Sequence, residues 1–327
     1  MEGVPKQTPD QVVPASPYRG IHPFRFIDQK YYFGREEITR ELVYNVLLYR
    51  LVVIFGESGA GKSSLINAGL VPALKAKGFQ PERLRVRPFK DQPLLIERID
   101  VGETVESGFL PSIFARDEVD RVPENSALIT LKNFHDSINE AIQNQYPTLI
   151  FDQFEELFTL FGNRRVLQLR VLNTIARLAS DPKLKVKIIL SIREDFLGKL
   201  QILNRRYPQV LDHRIRLALL TRENARQAIL SPFEPTNPFA AKLSPDLAER
   251  IIDDLSATQS DRTIPPTQLQ IICSRLWDTY AGQTGQIGLP HFEAMGGVTG
   301  IIKAFLSSEL QLFTGSQRRT AVEILAE

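Results

Sequence analysis

Residues 56–63 read Gly56-Glu57-Ser58-Gly59-Ala60-Gly61-Lys62-Ser63 and fill every fixed position of the pattern G-x-x-x-x-G-K-[ST]. The run Leu51-Val52-Val53-Ile54-Phe55 before it is short and continuously apolar, as a buried strand is, and the segment after it is amphipathic. A strand, a glycine-rich loop and a helix in that order form a phosphate cradle. The glycines let backbone N–H groups converge on the ligand, the helix N-terminus adds its dipole, Lys62 neutralises the β- and γ-phosphates, and the Ser63 hydroxyl ligates Mg²⁺. Gly56, Ser58, Gly59, Ala60, Gly61, Lys62, Ser63 and the adjacent Ser64 are the candidate nucleotide contacts. Such a loop needs a sheet behind it. Four further short runs rich in Val, Ile and Leu, at 84–86, 148–151, 186–192 and 215–219, read as strands covered on both faces by helices. The expectation is an α/β fold, a three-layer P-loop core on a parallel five-stranded sheet.

The rest of the chain divides by composition. Residues 1–17 hold Pro5, Pro9, Pro14 and Pro17 among polar residues with no hydrophobic period, which reads as a linker or disordered tail. The sheet domain is expected over 18–221, a helical lid domain over 222–310, and the start of a further domain over 311–327. The break between the first two lies where strand signal gives way to helices punctuated by Pro265-Pro266 and the glycine-rich stretch 282–288. Forty basic against 38 acidic residues leave a net charge of +2, which offers no footprint for general nucleic-acid or polybasic membrane binding. The single cysteine, Cys273, excludes an internal disulfide framework and a cysteine zinc site and reads as a buried thiol. Neither a membrane span nor a signal peptide is legible, so the cytoplasm is the expected location. The four histidines lie far apart, against metal-hydrolase chemistry.

A phosphate loop also requires an acidic group for its metal at the end of a buried strand. Leu149-Ile150-Phe151-Asp152 supplies it, followed by Gln153-Phe154-Glu155-Glu156. Asp152 is expected to hold Mg²⁺ through water, and Glu155 or Glu156 to polarise the attacking water as general base. The strand at 84–86 lies in sequence between the two motifs, the pattern of ATPases in which an extra strand separates the motif-bearing strands. Arg193 closes the strand Ile188-Ile189-Leu190-Ser191-Ile192 and is placed to sense a γ-phosphate; a surface salt bridge with Glu194 or Asp195 is its plainer role.

Taken together, Pro17-Tyr18-Arg19-Gly20 with Pro23-Phe24, Phe33-Gly34-Arg35-Glu36, the phosphate loop, Asp152-Gln153-Phe154-Glu155-Glu156-Leu157-Phe158 and Ser191-Ile192-Arg193-Glu194-Asp195-Phe196 resemble the bacterial STAND ATPases, novel-STAND group, relatives of AAA+ and NLR/NB-ARC signalling ATPases. The resemblance implies that Phe33, Gly34 and Arg35 border the adenine, that Glu155 and Glu156 belong to the acidic motif, that Arg193 is the sensor arginine, and that the further domain begun at 311–327 is winged-helix-like. It also implies that a proline of the helical domain touches the nucleotide; Pro266 fits best, with Pro265 as the fallback, and a helix start explains both residues as well. Expected ligands are ATP or ADP with Mg²⁺. The implied role is a signal-transduction switch with slow hydrolysis that controls self-association and an attached effector, in bacterial defence or programmed cell death, with effector and sensor domains outside this chain. An AAA+ type motor or initiator acting on DNA or protein is the alternative, and a nucleotide-binding scaffold without hydrolysis a third.

Overall fold

A computed structural model describes residues 14–89, 92–99, 146–234, 239–313 and 315. The expected tail therefore lies outside the described residues up to residue 13, and so does nearly all of the expected further domain at 311–327. The chain forms two compact units, one built from 24–29 and 35–218, the other from 30–34, 219 onward and the N-terminal residues up to 23.

The first unit carries a six-stranded sheet. Its strands are β1 (Leu51–Gly56), β2 (Gln80–Phe89), β3 (Gln92–Arg98), β4 (Pro147–Phe151), β5 (Lys187–Arg193) and β6 (Arg214–Arg216), ordered β3-β2-β4-β5-β1-β6. Five are parallel, as the sequence predicts; β3 runs antiparallel to β2 at the edge. Three features differ from expectation. Strand β2 is longer than the apolar run at 84–86, because Arg83, Arg85 and Arg87 alternate with Leu84 and Val86 and hide its pattern; β3 escapes notice because Pro93, tolerated at a sheet edge, demotes it. The strand that separates β1 from β4 is β5, not the one at 84–86: β5 pairs with both, while β2 lies on the far side of β4. Order along the chain does not give order in the sheet once crossovers intervene.

Leu51, Val52, Val53 and Ile54 are all buried although alternate residues of a strand face opposite sides, so helices must cover both faces. Val171, Leu172, Ile175 and Leu178 of the helix Arg165–Ser180 pack with Leu51, Val53, Leu149, Phe151, Ile188 and Leu190. The helix after the phosphate loop buries Leu65, Ile66 and Leu70. It runs as Lys62–Ser64, a wider π turn Leu65–Leu70, and Val71–Lys75. Pro72 explains the widening: it lacks an N–H and its ring would meet the carbonyl four residues back, a crowding that the wider turn relieves.

The second unit is helical. Helices Arg222–Leu230, Pro245–Ser256, Pro266–Tyr280, Leu289–Ala294 and Gly297–Leu312 surround Leu247, Ile251, Leu255, Leu269, Ile272, Cys273 and Leu276, joined by a two-residue pairing of β7 (Lys242–Leu243) with β8 (Gln286–Ile287). Residues 18–23 and 30–34, assigned from the sequence to the sheet domain, group here. Tyr18 shows why: its ring meets Phe233 and Trp277 edge-on and its hydroxyl donates to Ile229 O at 2.8 Å. Gly34 is fixed by the same unit. Its φ is +79°, and a Cβ there would lie 2.2 Å from Asn224 O, so only glycine fits. Cys273 is fully buried, and burial pushes its thiol pKa well above the usual range.

Candidate nucleotide-binding site

The phosphate loop follows β1 in the sheet unit. Gly56 is required by close approach, since a Cβ would lie 2.4 Å from Leu217 O, while Gly59 and Gly61 adopt φ of +79° and +94°. Lys62 starts the helix, and its ammonium donates to Gly56 O and Glu57 O, both at 2.8 Å, so the loop curls around the charge. Burial lowers the Lys62 pKa below the ordinary lysine value, against the opposing pull of Glu155 and Asp152. Arg35 is buried, and its Nη2 donates to Ala60 O at 3.0 Å, bracing the loop from behind. The Ser64 hydroxyl accepts the N–H of Phe24 at 3.1 Å while Asn67 Nδ2 donates to Phe24 O at 2.9 Å, which pins that segment to the helix.

Asp152 follows β4 and is fully buried. Its Oδ2 accepts from Ser63 Oγ at 2.8 Å and from Arg83 Nε and Nη2 at 3.0 and 2.5 Å. Its Oδ1 accepts from Ser191 Oγ at 2.7 Å and from the N–H of Gln153 at 2.9 Å. Burial acts to raise the Asp152 pKa, but the Arg83 charge and the hydrogen bonds from Ser191, Arg83 and Ser63 hold it below its ordinary value. The next residue, Gln153, sits at φ +51°, an uncommon conformation for a side chain of its size and one that accumulates at functional sites.

The two glutamates diverge. Glu155 Oε2 accepts the backbone N–H of Arg193 at 3.2 Å, and the carboxylate interacts with Lys62. Burial raises its pKa, opposed by backbone hydrogen bonds and by Lys62. Glu156 instead takes a two-pronged contact from Arg87, Nε to Oε2 at 3.0 Å and Nη2 to Oε1 at 3.4 Å. Arg193 pairs with Gly56 across the β1–β5 ladder, which sets it beside the loop. Its guanidinium, half-exposed, forks onto Asp195 at 3.1 and 2.9 Å and lies over the Phe196 ring. The plainer of the two sequence readings of Arg193 is thus the contact present.

The sheet unit therefore gathers the phosphate loop, Arg35, Asp152, Glu155 and Arg193, with Glu156 turned toward β2. Phe33, Gly34 and Pro266 belong to the helical unit; Pro266 is the first residue of the helix Pro266–Tyr280, and Pro265 O caps that helix by accepting the Leu269 N–H. Sequence reasoning missed Arg83, Arg87 and Ser191. The signal for the first two was present in arginines at 83, 85 and 87, a period of two beside a run of buried strand residues.

The residues fit a Mg²⁺-bound nucleotide: the Ser63 hydroxyl is a hard oxygen donor, and a converging loop with a lysine ammonium suits phosphates. Among the described residues no group of three or more His, Cys, Asp or Glu could hold a metal ion, and no helix is long and apolar enough to cross a membrane.

A phosphate loop after β1, an acidic residue after β4 and a strand between them define a P-loop ATPase fold. The family model of novel STAND NTPase 1 matches residues 17–327, and the chain belongs to that family. Among solved structures, a Walker-type ATPase of Pyrococcus abyssi is similar with a TM-score of 0.53 and 15% identity, over 92% of this chain and 78% of that one. The ORC2 protein of Aeropyrum pernix, in its ADPNP–ADP complexes, gives a TM-score of 0.45 and 15% identity over 83% of this chain and 67% of that one. These identities speak to fold alone. No curated protein matches the chain in sequence.

Proposed function

We propose that the protein is a nucleotide switch: it binds ATP or ADP with Mg²⁺, hydrolyses ATP slowly, and uses the difference between the two to control self-association and an attached effector. The family likeness supports a role in bacterial defence or programmed cell death, and the cytoplasm is the proposed setting. The observation that carries the switch is the state of Arg193. It stands beside the loop in the ladder, yet its charge rests on Asp195 in a pair exposed by 44% and 55%. An exposed pair of this kind is worth about 0–1 kcal/mol, whereas a charge-assisted contact to phosphate contributes about 1.5–3 kcal/mol, so a γ-phosphate can draw the guanidinium away. Only ATP offers that group, and a ligand shifts a two-state equilibrium only through differential affinity.

Arg193→Ala is accordingly expected to weaken ATP binding about tenfold more than ADP binding. Solution scattering with ADP and with a non-hydrolysable ATP analogue should show an ATP-dependent change in shape that the variant loses. Equal losses for both nucleotides, with the shape change intact, return Arg193 to its structural pairing with Asp195. Steady ATPase rates with and without DNA separate the switch from a motor, since a switch turns over slowly and is indifferent to DNA. Adenine is expected to be preferred: no [NT]-K-x-D guanine-reading motif follows Asp152, and GTP at equal concentration should displace a fluorescent ATP analogue poorly. Equal displacement by GTP and ATP overturns the adenine assignment.

A further inference from the structure

Arg83 is the feature of the site that the phosphate-loop reading does not use. β2 lies beside β4 with Arg83 in register with Ile150 and Leu84 with Phe151. Residues two apart on a strand share a face, so Arg83 shares one with Ile150 and with Asp152. Its guanidinium places two N–H groups on Asp152 Oδ2, and both side chains are buried, at 4% and 1% exposure. With Ser63 on the same oxygen, and Ser191 and the Gln153 N–H on the other, the carboxylate accepts five hydrogen bonds. An ionised carboxylate offers about four lone-pair sites. A metal-bound water that looked to Asp152 would find every position taken, and the charge of Asp152 itself is already neutralised by Arg83.

We propose that Arg83 is a built-in cation of the phosphate site, a positioning residue that saturates Asp152 and so makes nucleotide binding nearly independent of Mg²⁺. The inference rests on the nucleotide-site reading above. Ser63 keeps its hydrogen on Asp152 Oδ2 and retains lone pairs for a metal brought in with the phosphates, so Mg²⁺ is admitted but not needed to hold the ligand. In a site where the carboxylate is balanced by the metal, removing Mg²⁺ leaves its charge facing the phosphates and costs affinity; here Arg83 keeps the Asp152 charge cancelled whether or not the metal is present.

The test is the affinity of the full chain for a fluorescent ADP analogue with Mg²⁺ and with a chelator. The wild-type protein should show nearly the same dissociation constant in both. Arg83→Gln removes the charge but can still donate to Asp152, and should make affinity depend on Mg²⁺ by about tenfold. Arg83→Lys keeps the charge with a single donor in place of the two-pronged contact, frees a position on Oδ2, and should gain an intermediate dependence; it serves as well if the glutamine variant does not fold, which circular dichroism would report. A wild-type affinity that collapses in chelator overturns the proposal. So does binding by a folded variant whose Mg²⁺ response matches the wild type, the outcome of a purely structural ion pair. Failure of the wild-type protein to bind nucleotide under either condition overturns the site reading itself, and this proposal with it.

Discussion

Lys62→Ala is expected to raise the dissociation constant for ATP and ADP by about two powers of ten and to leave the fold standing, because one charged contact to phosphate contributes about 1.5–3 kcal/mol. Among the described residues the ammonium donates to carbonyls of its own loop, Gly56 O and Glu57 O. Neither carbonyl depends on Lys62 to keep β1 in the sheet, since β1 is held by pairing with β5 and β6 and by the burial of Leu51, Val52, Val53 and Ile54. Thermal stability should therefore change by about 1 kcal/mol or less, as for substitutions away from a packed core. Burial lowers the Lys62 pKa. Because phosphate binding needs the protonated form, affinity should fall as pH rises, beginning below the pH at which a free lysine titrates. Titration with a fluorescent ATP analogue, with a melting curve of the same samples, checks both halves. Undiminished affinity in a folded variant would falsify the phosphate-loop assignment.

What the sequence disclosed about this site was what is local. The loop at 56–63, the apolar run before it and the Asp152 strand are contiguous, and their chemistry follows from residue type and spacing. Most of the failures share one cause, the need for a partner distant in sequence. Arg83 and Arg87 reach Asp152 and Glu156 across 69 residues of chain, and no spacing rule predicts which carboxylate a strand arginine will take. The strand β5 lies between β1 and β4 although it follows both in the chain. Tyr18 was legible as the start of structure but not as a member of the helical core, a placement decided by Phe233, Trp277 and Ile229 O. Edge strand β3 holds Leu94-Leu95-Ile96, but Pro93 near its start demotes the run from a strand reading.

Glu155→Gln is expected to preserve ATP binding and slow its cleavage by about 10²–10⁴-fold, the range that positioned acid–base groups contribute, because a carboxamide keeps the shape but cannot accept a proton. Glu156→Gln is expected to leave cleavage within a few-fold of wild type. The sequence treats the two alike; their surroundings do not. Glu155 is held by the Arg193 N–H and interacts with Lys62, so it faces the loop, and burial raises its pKa. A raised value makes a carboxylate a stronger base. It also sets the acid side of the pH profile: the working form is deprotonated, so cleavage should be lost as pH falls through a value above that of an ordinary glutamate. Glu156 is committed to both prongs of Arg87 in a pair exposed by 19% and 35%, turned toward β2. Losing it should cost about 1 kcal/mol of stability rather than chemistry. Single-turnover cleavage at saturating protein is the measurement, because steady turnover in a switch can be limited by release of ADP. Cleavage at the wild-type rate in Glu155→Gln together with loss in Glu156→Gln would reverse the assignment and require Arg87 to release its carboxylate when nucleotide binds.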